Sequence, residues 1–448
     1  MRVVIMRAAA LCALTAALSG CQSTQTVEPF AAETVPHVVT SDIQAGIEAY
    51  IAEQTRLGDG YFTLTYEDRE LRLKLVRVHM EYLANLGPRR HFACVDLASM
   101  EGDVYDVDFF MAGDPGAMTV TETTVHKING QPFYVWEQSD DGTWGREAVD
   151  AASRALLGVV EDADRFEFLY EVTLPELTDF ARMWIPLPRN DAFQTVRTMG
   201  IRTPGAHTIL TDRRHGNRVL FLELTPQDSR KTIALRFEVD RIEKAVYSDE
   251  GSSPGDFLAP ERNVPANDEF RTVAQEVVEG KHGELVRARA LYDHTIDRMR
   301  YMKFGEGYGQ GDAQYACDSR TGNCTDFHSY FIALARSVGI PARFAIGAAV
   351  PSARNDGALS GYHCWAEFYA ESMWWPVDIS EGDKYTSLAT YYFGHHPANR
   401  IELSRGRDLE VDPGPVSGPI NFLAYPVLEV AGATVPIRAQ FSFKRILE

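Results

Sequence analysis

The chain is 448 residues long, 45% hydrophobic and 11% aromatic, which excludes a disordered protein and supplies material for two or three domains with cores. Its formal charge is −19, and about −21 once residues 1–20, with Arg2, Arg7 and no acid, are removed. That balance, with no basic run to offset it, excludes nucleic acid as a partner.

Arg2 and Arg7 flank an apolar stretch from Ala8 to Leu18, followed by small residues up to Cys21, which reads as a processing signal over residues 1–20 rather than as structure. Leu18-Ser19-Gly20-Cys21 resembles the bacterial lipoprotein box. That resemblance implies cleavage before Cys21 and lipidation of its thiol, hence a membrane anchor. Gln22 in the next position, where no Asp stands, implies outer-membrane retention facing the periplasm. No other segment reaches the ~18 apolar residues of a membrane span. Residues 21–40, polar and without hydrophobic period, read as a flexible tether.

From Ser41 to Leu57 the apolar residues Ile43, Ile47, Tyr50 and Ile51 keep helical spacing. Alternating runs follow at 71–75, 92–96, 104–111 and 120–128, the last joined through Asn129-Gly130 to Phe133–Trp136, a strong hairpin signal. Residues 41–137 are therefore predicted to form an α+β domain, whose role the sequence does not reveal. Residues 138–145 read as a linker and 147–160 as a short helix. Strands predicted at 165–174, 181–186, 219–224 and 232–241 make 147–247 a small antiparallel β-sandwich. The Ser, Gly, Asp and Pro-rich stretch 248–265 marks the next boundary, and 266–448 is predicted to be one α+β domain with a C-terminal β extension. It opens with helices at 267–279 and 284–300. The loop Phe304 to Gly311 that follows lacks a Gly-Lys-Ser/Thr ending, so it reads as a mobile cleft wall rather than a phosphate cradle.

The chemistry concentrates further on. Gly322-Asn323-Cys324-Thr325-Asp326 precedes an apolar-periodic run that stops at Gly339-Ile340-Pro341, so Cys324 is predicted to open a buried helix with Asn323 as its N-cap. A thiol there faces unsatisfied N–H groups and the positive end of the helix dipole. Both lower its pKa from about 8.5 toward the roughly 3.5 to 7.5 of reactive cysteines. His363 and Asp378 follow on predicted neighbouring strands, where side chains on one face come within hydrogen-bonding reach. A cysteine nucleophile needs a base, and the base needs a group that holds its tautomer; these three residue types in chain order supply that set. The helix that carries Cys324 is expected to pack on that face; alternation sends Cys364 to the other face and brings Trp365 beside His363 as a cleft wall. Cys94 reads as a small buried apolar residue. Cys317 is left open to a bridge with Cys364, or to one with Cys324 that would switch the nucleophile off. Metal readings find only His395-His396, His91 with Cys94, and His363-Cys364, none at ligand spacing.

Gly322-Asn323-Cys324, Gly339-Ile340-Pro341-Ala342-Arg343, His363 with Trp365-Ala366-Glu367, and Trp375-Pro376-Val377-Asp378 together resemble the bacterial transglutaminase-like superfamily of papain-type cysteine enzymes over residues 268–395. The preceding sandwich, with Trp184-Ile185-Pro186-Leu187-Pro188, is similar to the β-domain often found before it. The resemblance implies Cys324 as nucleophile, His363 as general base and acid, and Asp378 as orienting carboxylate. The reaction would pass through a thioester on an amide of a peptide or protein in the cell envelope. The oxyanion would be held by the Cys324 N–H and a second donor, for which Gln310 and Gln314 are both open. Hydrolysis is the expected outcome. Transfer to an amine, or a non-catalytic tethered scaffold, are the alternatives. Animal members depend on calcium, but no EF-hand pattern appears, and no cofactor or metal is expected.

Overall fold

In the computed structural model the described residues are 38–448, apart from 67–68, 133, 139–143, 149–157, 189, 250, 304–305, 385–387 and 447–448. The predicted leader, Cys21 and nearly all of the tether lie outside them.

The first helix, α1 (Thr40–Leu57), begins one residue before the predicted start, with Asp42 Oδ2 accepting from the Val39 N–H at 3.0 Å. Its buried stripe Ile43, Ile47 and Ile51 lies on a seven-stranded antiparallel sheet. The strands are β1 (Phe62–Tyr66), β2 (Arg69–Val78), β3 (Ala84–Gly87), β4 (Arg90–Ser99), β5 (Val104–Ala112), β6 (Thr119–Ile128) and β7 (Gln131–Pro132). Strand alternation turns Val95, Leu97, Val107 and Phe109 toward the helix. At the Asn129-Gly130 turn both residues take positive φ, 51° and 80°, the conformation a two-residue hairpin needs and glycine tolerates best. The chain then leaves the sheet. β8 (Tyr134–Gln138) pairs with β9 (Trp144–Ala148), so the stretch expected as a linker joins two strands of a second hairpin. The helix expected at 147–160 is a strand at its first two residues, and 149–157 lie outside the description.

The sandwich is built from β10 (Ala163–Thr173), β11 (Ala181–Leu187), β12 (Gln194–Arg202), β13 (His207–Thr211), β14 (Arg218–Leu224) and β15 (Thr232–Ile242). The next domain contributes α2 (Asp268–Val277), α3 (Glu284–Arg298), β16 (Arg300–Tyr301), α4 (Ala313–Ser319), β17 (Thr321–Gly322) and α5 (Cys324–Ser337). It continues with β18 (Ala342–Ala349), β19 (Asp356–Ala358), β20 (His363–Ala370), β21 (Met373–Val377), α6 (Ile379–Lys384) and β22 (Arg400–Arg405). Helix α5, buried at every residue from Cys324 to Ala335, lies on the sheet β21-β20-β18-β22.

The tail differs from its expected place. Its strands β23 (Val427–Val430), β24 (Ala433–Val435) and β25 (Gln440–Arg445) pair with the sandwich rather than extending the last domain. The two sheets of the sandwich run β12-β15-β10-β25-β19 and β13-β14-β11-β23-β24. Sequence alternation showed a strand near 439–443 but carried no information about its partner, which is set by an apolar face. Phe441 and Phe443 fill the inter-sheet core with Phe166, Phe168 and Tyr170. The remaining tail loop covers the outer face, where Trp184 packs on Leu409, Ile420 and Leu423 and its indole donates to Pro413 O at 2.8 Å.

A buried ionic group fastens the sandwich's exit strand to the central sheet. Lys244 meets Glu367, and Arg343 Nε donates to the same carboxylate at 2.7 Å. Tyr247 donates its hydroxyl to Glu367 at 2.8 Å, and Arg343 also reaches Asp249 at 3.0 Å.

Candidate active site

Cys324 sits at the first turn of α5 because the two residues around it cap the helix. The Asn323 side chain accepts from the Thr325 N–H at 2.9 Å, and Asp326 accepts from the Asn323 N–H at 2.9 Å, a reciprocal capping box. Among the described residues no acceptor meets the Cys324 N–H, one of the donors a helix start leaves open. Gly322 is required by close approach, since a Cβ there would lie 2.4 Å from Asp326 Cβ.

Asp326 does a second job. Its carboxylate also accepts from the N–H groups of Gly309 (2.7 Å) and Gly311 (3.0 Å). Arg407 donates to the carbonyls of Gly311 (2.6 Å) and Gln310 (3.2 Å) from the other side. The glycine loop read as a mobile wall is thus fastened at 309–311. Burial pushes the Asp326 carboxyl up to about 6 despite those three amide bonds.

His363 is the first residue of β20 and Asp378 the first beyond β21. The His363 Nε2–H donates to Asp378 Oδ2 at 2.6 Å, which leaves Nδ1 for the sulfur. Cys324 and His363 are close enough that each shifts the other's pKa. The three predicted residues converge, and all are buried, with His363 the most exposed at 7%. The route differs from the expected one: α5 packs on the face of β20 that carries Cys364, Ala366 and Phe368. His363 reaches Cys324 from the strand's end, where the helix tip passes. Cys364 is therefore near Cys324 after all, its own thiol pushed up by burial and then by Cys324. Trp365 lies tilted beside His363 with ring centroids 6.2 Å apart, yet it is fully buried and backs the imidazole rather than walling a cleft.

Two residues went unnoticed in the sequence. Arg400, on β22, donates to Asp378 Oδ2 at 2.8 Å, the oxygen that His363 also uses. His328, one helical turn after Cys324 and fully buried, donates from Nδ1 to Cys324 O at 2.6 Å, while its Nε2 accepts from the Ile379 N–H at 3.1 Å. Those two bonds fix a neutral tautomer, and burial lowers the His328 pKa accordingly. His328 thereby ties the nucleophile's turn to the backbone just past Asp378. The i, i+4 spacing of Cys324 and His328 on an apolar helix was the available signal; Arg400 had none.

The electrostatics form an ion pair. Burial alone would push Cys324 up, but hydrogen bonds with Cys364 and His363 and the charge on His363 draw it well below a thiol's ordinary value. Burial would lower His363, but the Asp378 carboxylate outweighs it and raises the imidazole to about 9. Asp378 is held well below the carboxylate range: burial opposes this, and His363 and Arg400 prevail.

The remaining candidates are structural. Gln314 bonds Glu269 and Asp318, away from the sulfur. All four described cysteines are free thiols, so neither bridge to Cys317 is present. His91 is spent on Asn85 and the Gly113 carbonyl rather than facing Cys94. Among the described residues no helix is long and apolar enough to cross a membrane.

Residues 271–379 match the family model of the transglutaminase-like superfamily. An uncharacterised protein of Haemophilus influenzae is 25% identical over 321 residues, 60% of this chain and 87% of that one. Two solved structures align at low similarity. A candidate cysteine protease from Cytophaga hutchinsonii has 18% identity and a TM-score of 0.43, covering 63% of this chain and 99% of that one. The periplasmic domain of TgpA from Pseudomonas aeruginosa has 16% identity and a TM-score of 0.28, covering 54% and 99%. The segment that carries Cys324, His363 and Asp378 is the one that matches the transglutaminase-like family model.

Proposed function

We propose that the protein is a cell-envelope cysteine hydrolase acting on amide bonds of peptides or proteins, with Cys324 as nucleophile, His363 as general acid and base, and Asp378 as the carboxylate that orients it. The observation that carries this reading is the buried chain Cys324–His363–Asp378, in which a lowered thiol meets a raised imidazole. The thiolate attacks the carbonyl carbon, and the oxyanion takes the free Cys324 N–H. Imidazolium Nδ1–H protonates the departing amine, leaving a thioester. His363 then takes a proton from water, the hydroxide attacks the thioester carbon, the C–S bond breaks to release the acid, and the thiolate–imidazolium pair is restored. Water at ~55 M is the default acceptor unless a site excludes it and binds an amine, so hydrolysis is preferred to transfer.

The leader pattern supports export and anchoring through Cys21, facing the periplasm from the outer membrane. Mass spectrometry of envelope proteins incubated with wild type and Cys324→Ala tests the reaction. New peptide termini dependent on Cys324 are expected; isopeptide bonds in their place would establish transfer, and identical digests would leave a scaffold. Globomycin-sensitive processing with acylation at Cys21, absent in Cys21→Ser, tests the anchor.

A further inference from the structure

The N-terminal sheet has a second face, turned away from α1. Cys94 and Asp96 on β4 and Asp106 and Asp108 on β5 lie two residues apart on each strand, so alternation carries all four to that face. The register sets Cys94 opposite Asp108 and Asp96 opposite Asp106. His79, just past β2, and His126 on β6 bring imidazoles from the two flanks. All but the partly buried His126 are buried, under a face that α3 covers with Arg289.

The donors are close. Cys94 Sγ lies 2.8 Å from Asp106 Oδ1, and His126 Nδ1 lies 3.8 Å from both Asp106 Oδ1 and Asp108 Oδ1. One ligand atom each from His79, Cys94 and Asp106 falls within 4.8 Å of the others, as do those of Asp106, Asp108 and His126. A tetrahedral zinc ion with bonds of about 2.0–2.3 Å needs donors roughly 3.3–3.8 Å apart, within reach of rotamer adjustment. Counter-charges and one internal pair already engage part of the cluster, with His79 Nε2 3.1 Å from Asp96 Oδ1. Lys127 takes Asp106 Oδ2 at 2.8 Å and Arg289 approaches Asp96 Oδ2 at 3.6 Å, while Asp106 Oδ1 faces the thiol. A cavity of about 370 Å³, lined by Arg77, His79, Asp106, Lys127, Arg289 and Asp293 among others, supplies an access path.

We propose that this cluster is a zinc-type metal site, with Cys94 and Asp106 at its centre and imidazole from His79 or His126 completing it. On binding, the Cys94 S–H bond breaks, a sulfur–metal bond forms and the proton leaves to solvent. The site is separate from the Cys324 centre and departs from the expectation of no metal.

The test uses the full chain carrying Cys324→Ser, purified without a histidine tag, stripped by chelator and titrated with Zn²⁺ and Co²⁺. One equivalent bound, a thiolate-to-cobalt charge-transfer band and a higher Tm are expected. Cys94→Ser should remove the band and reduce bound metal to background, as should Asp106→Asn; His79→Ala and His126→Ala identify the imidazole. Absence of the band with no Tm rise in the parent chain overturns the proposal, and so does a band that survives Cys94→Ser. Because the parent spectrum decides by itself, a variant that fails to fold leaves the test intact.

Discussion

On the proposed mechanism the reactivity of Cys324 rests on a few atoms, and each can be perturbed alone. His363 must be protonated to hand a proton to the leaving amine, so kcat/KM on a substrate found in envelope digests should hold up to pH 8 and fall as pH rises through about 9. A profile still rising at pH 10 would contradict the ion pair. Asp378→Asn should lower kcat by about 10³–10⁴-fold, because an amide no longer fixes the Nε2–H tautomer; a loss under tenfold, measured at the same substrate, would remove that role. His328 touches no reacting atom and acts by position. His328→Leu strands the Cys324 carbonyl and the Ile379 N–H, and should cost about 1–3 kcal/mol of stability. It should also lower kcat by about tenfold to 10²-fold with KM held, while His328→Gln, which keeps a donor and an acceptor, restores part of it. A change in KM alone would assign His328 to substrate binding instead. The helix start at Cys324 could be read in the sequence because Asn323, Asp326 and the Gly-Ile-Pro stop fix it, and only one cysteine occupies it. Arg400 could not be read, since a charged residue in an alternating strand is the commonest pattern there is.

At the scale of elements, the loop 309–311 and the start of α5 behave as one unit because Asp326 serves both. Asp326→Asn replaces one acceptor oxygen by an NH₂ that confronts backbone N–H groups. Stability should drop by about 1–3 kcal/mol, and exchange of the Gly309 and Gly311 amides should speed up selectively. Unchanged protection at those two amides would show that Arg407 alone holds the loop. The error in the sequence reading was one of kind: glycines were taken as freedom, whereas Gly309 and Gly311 present N–H groups to a carboxylate fifteen or more residues away. The face assigned to α5 was reversed for a similar reason. Alternation describes the middle of β20, and His363 lies at its end, where the chain's direction rather than its pleat decides what it meets.

Over the whole molecule, helices and strands of the central domain were legible because their periods are long and their stops sharp. The pairing of β25 with β10 and of β23 with β11 was not, because nothing in a strand's own pattern names its neighbour. The ionic group around Glu367 couples the sandwich to the catalytic sheet. Glu367→Ala leaves Lys244 and Arg343 buried without their shared carboxylate, and should destabilise by about 3–5 kcal/mol in urea denaturation. A loss below 1 kcal/mol would mean that Asp249 and Glu402 suffice. The tail strands carry a further consequence. Phe443 faces Phe168 across more than half of the chain, so the sandwich stays incomplete until β25 has been made and has found β10. The closing staves of the sandwich thus arrive after every other strand of it has been made. Its maturation must also be slow, governed by the search for that distant mate.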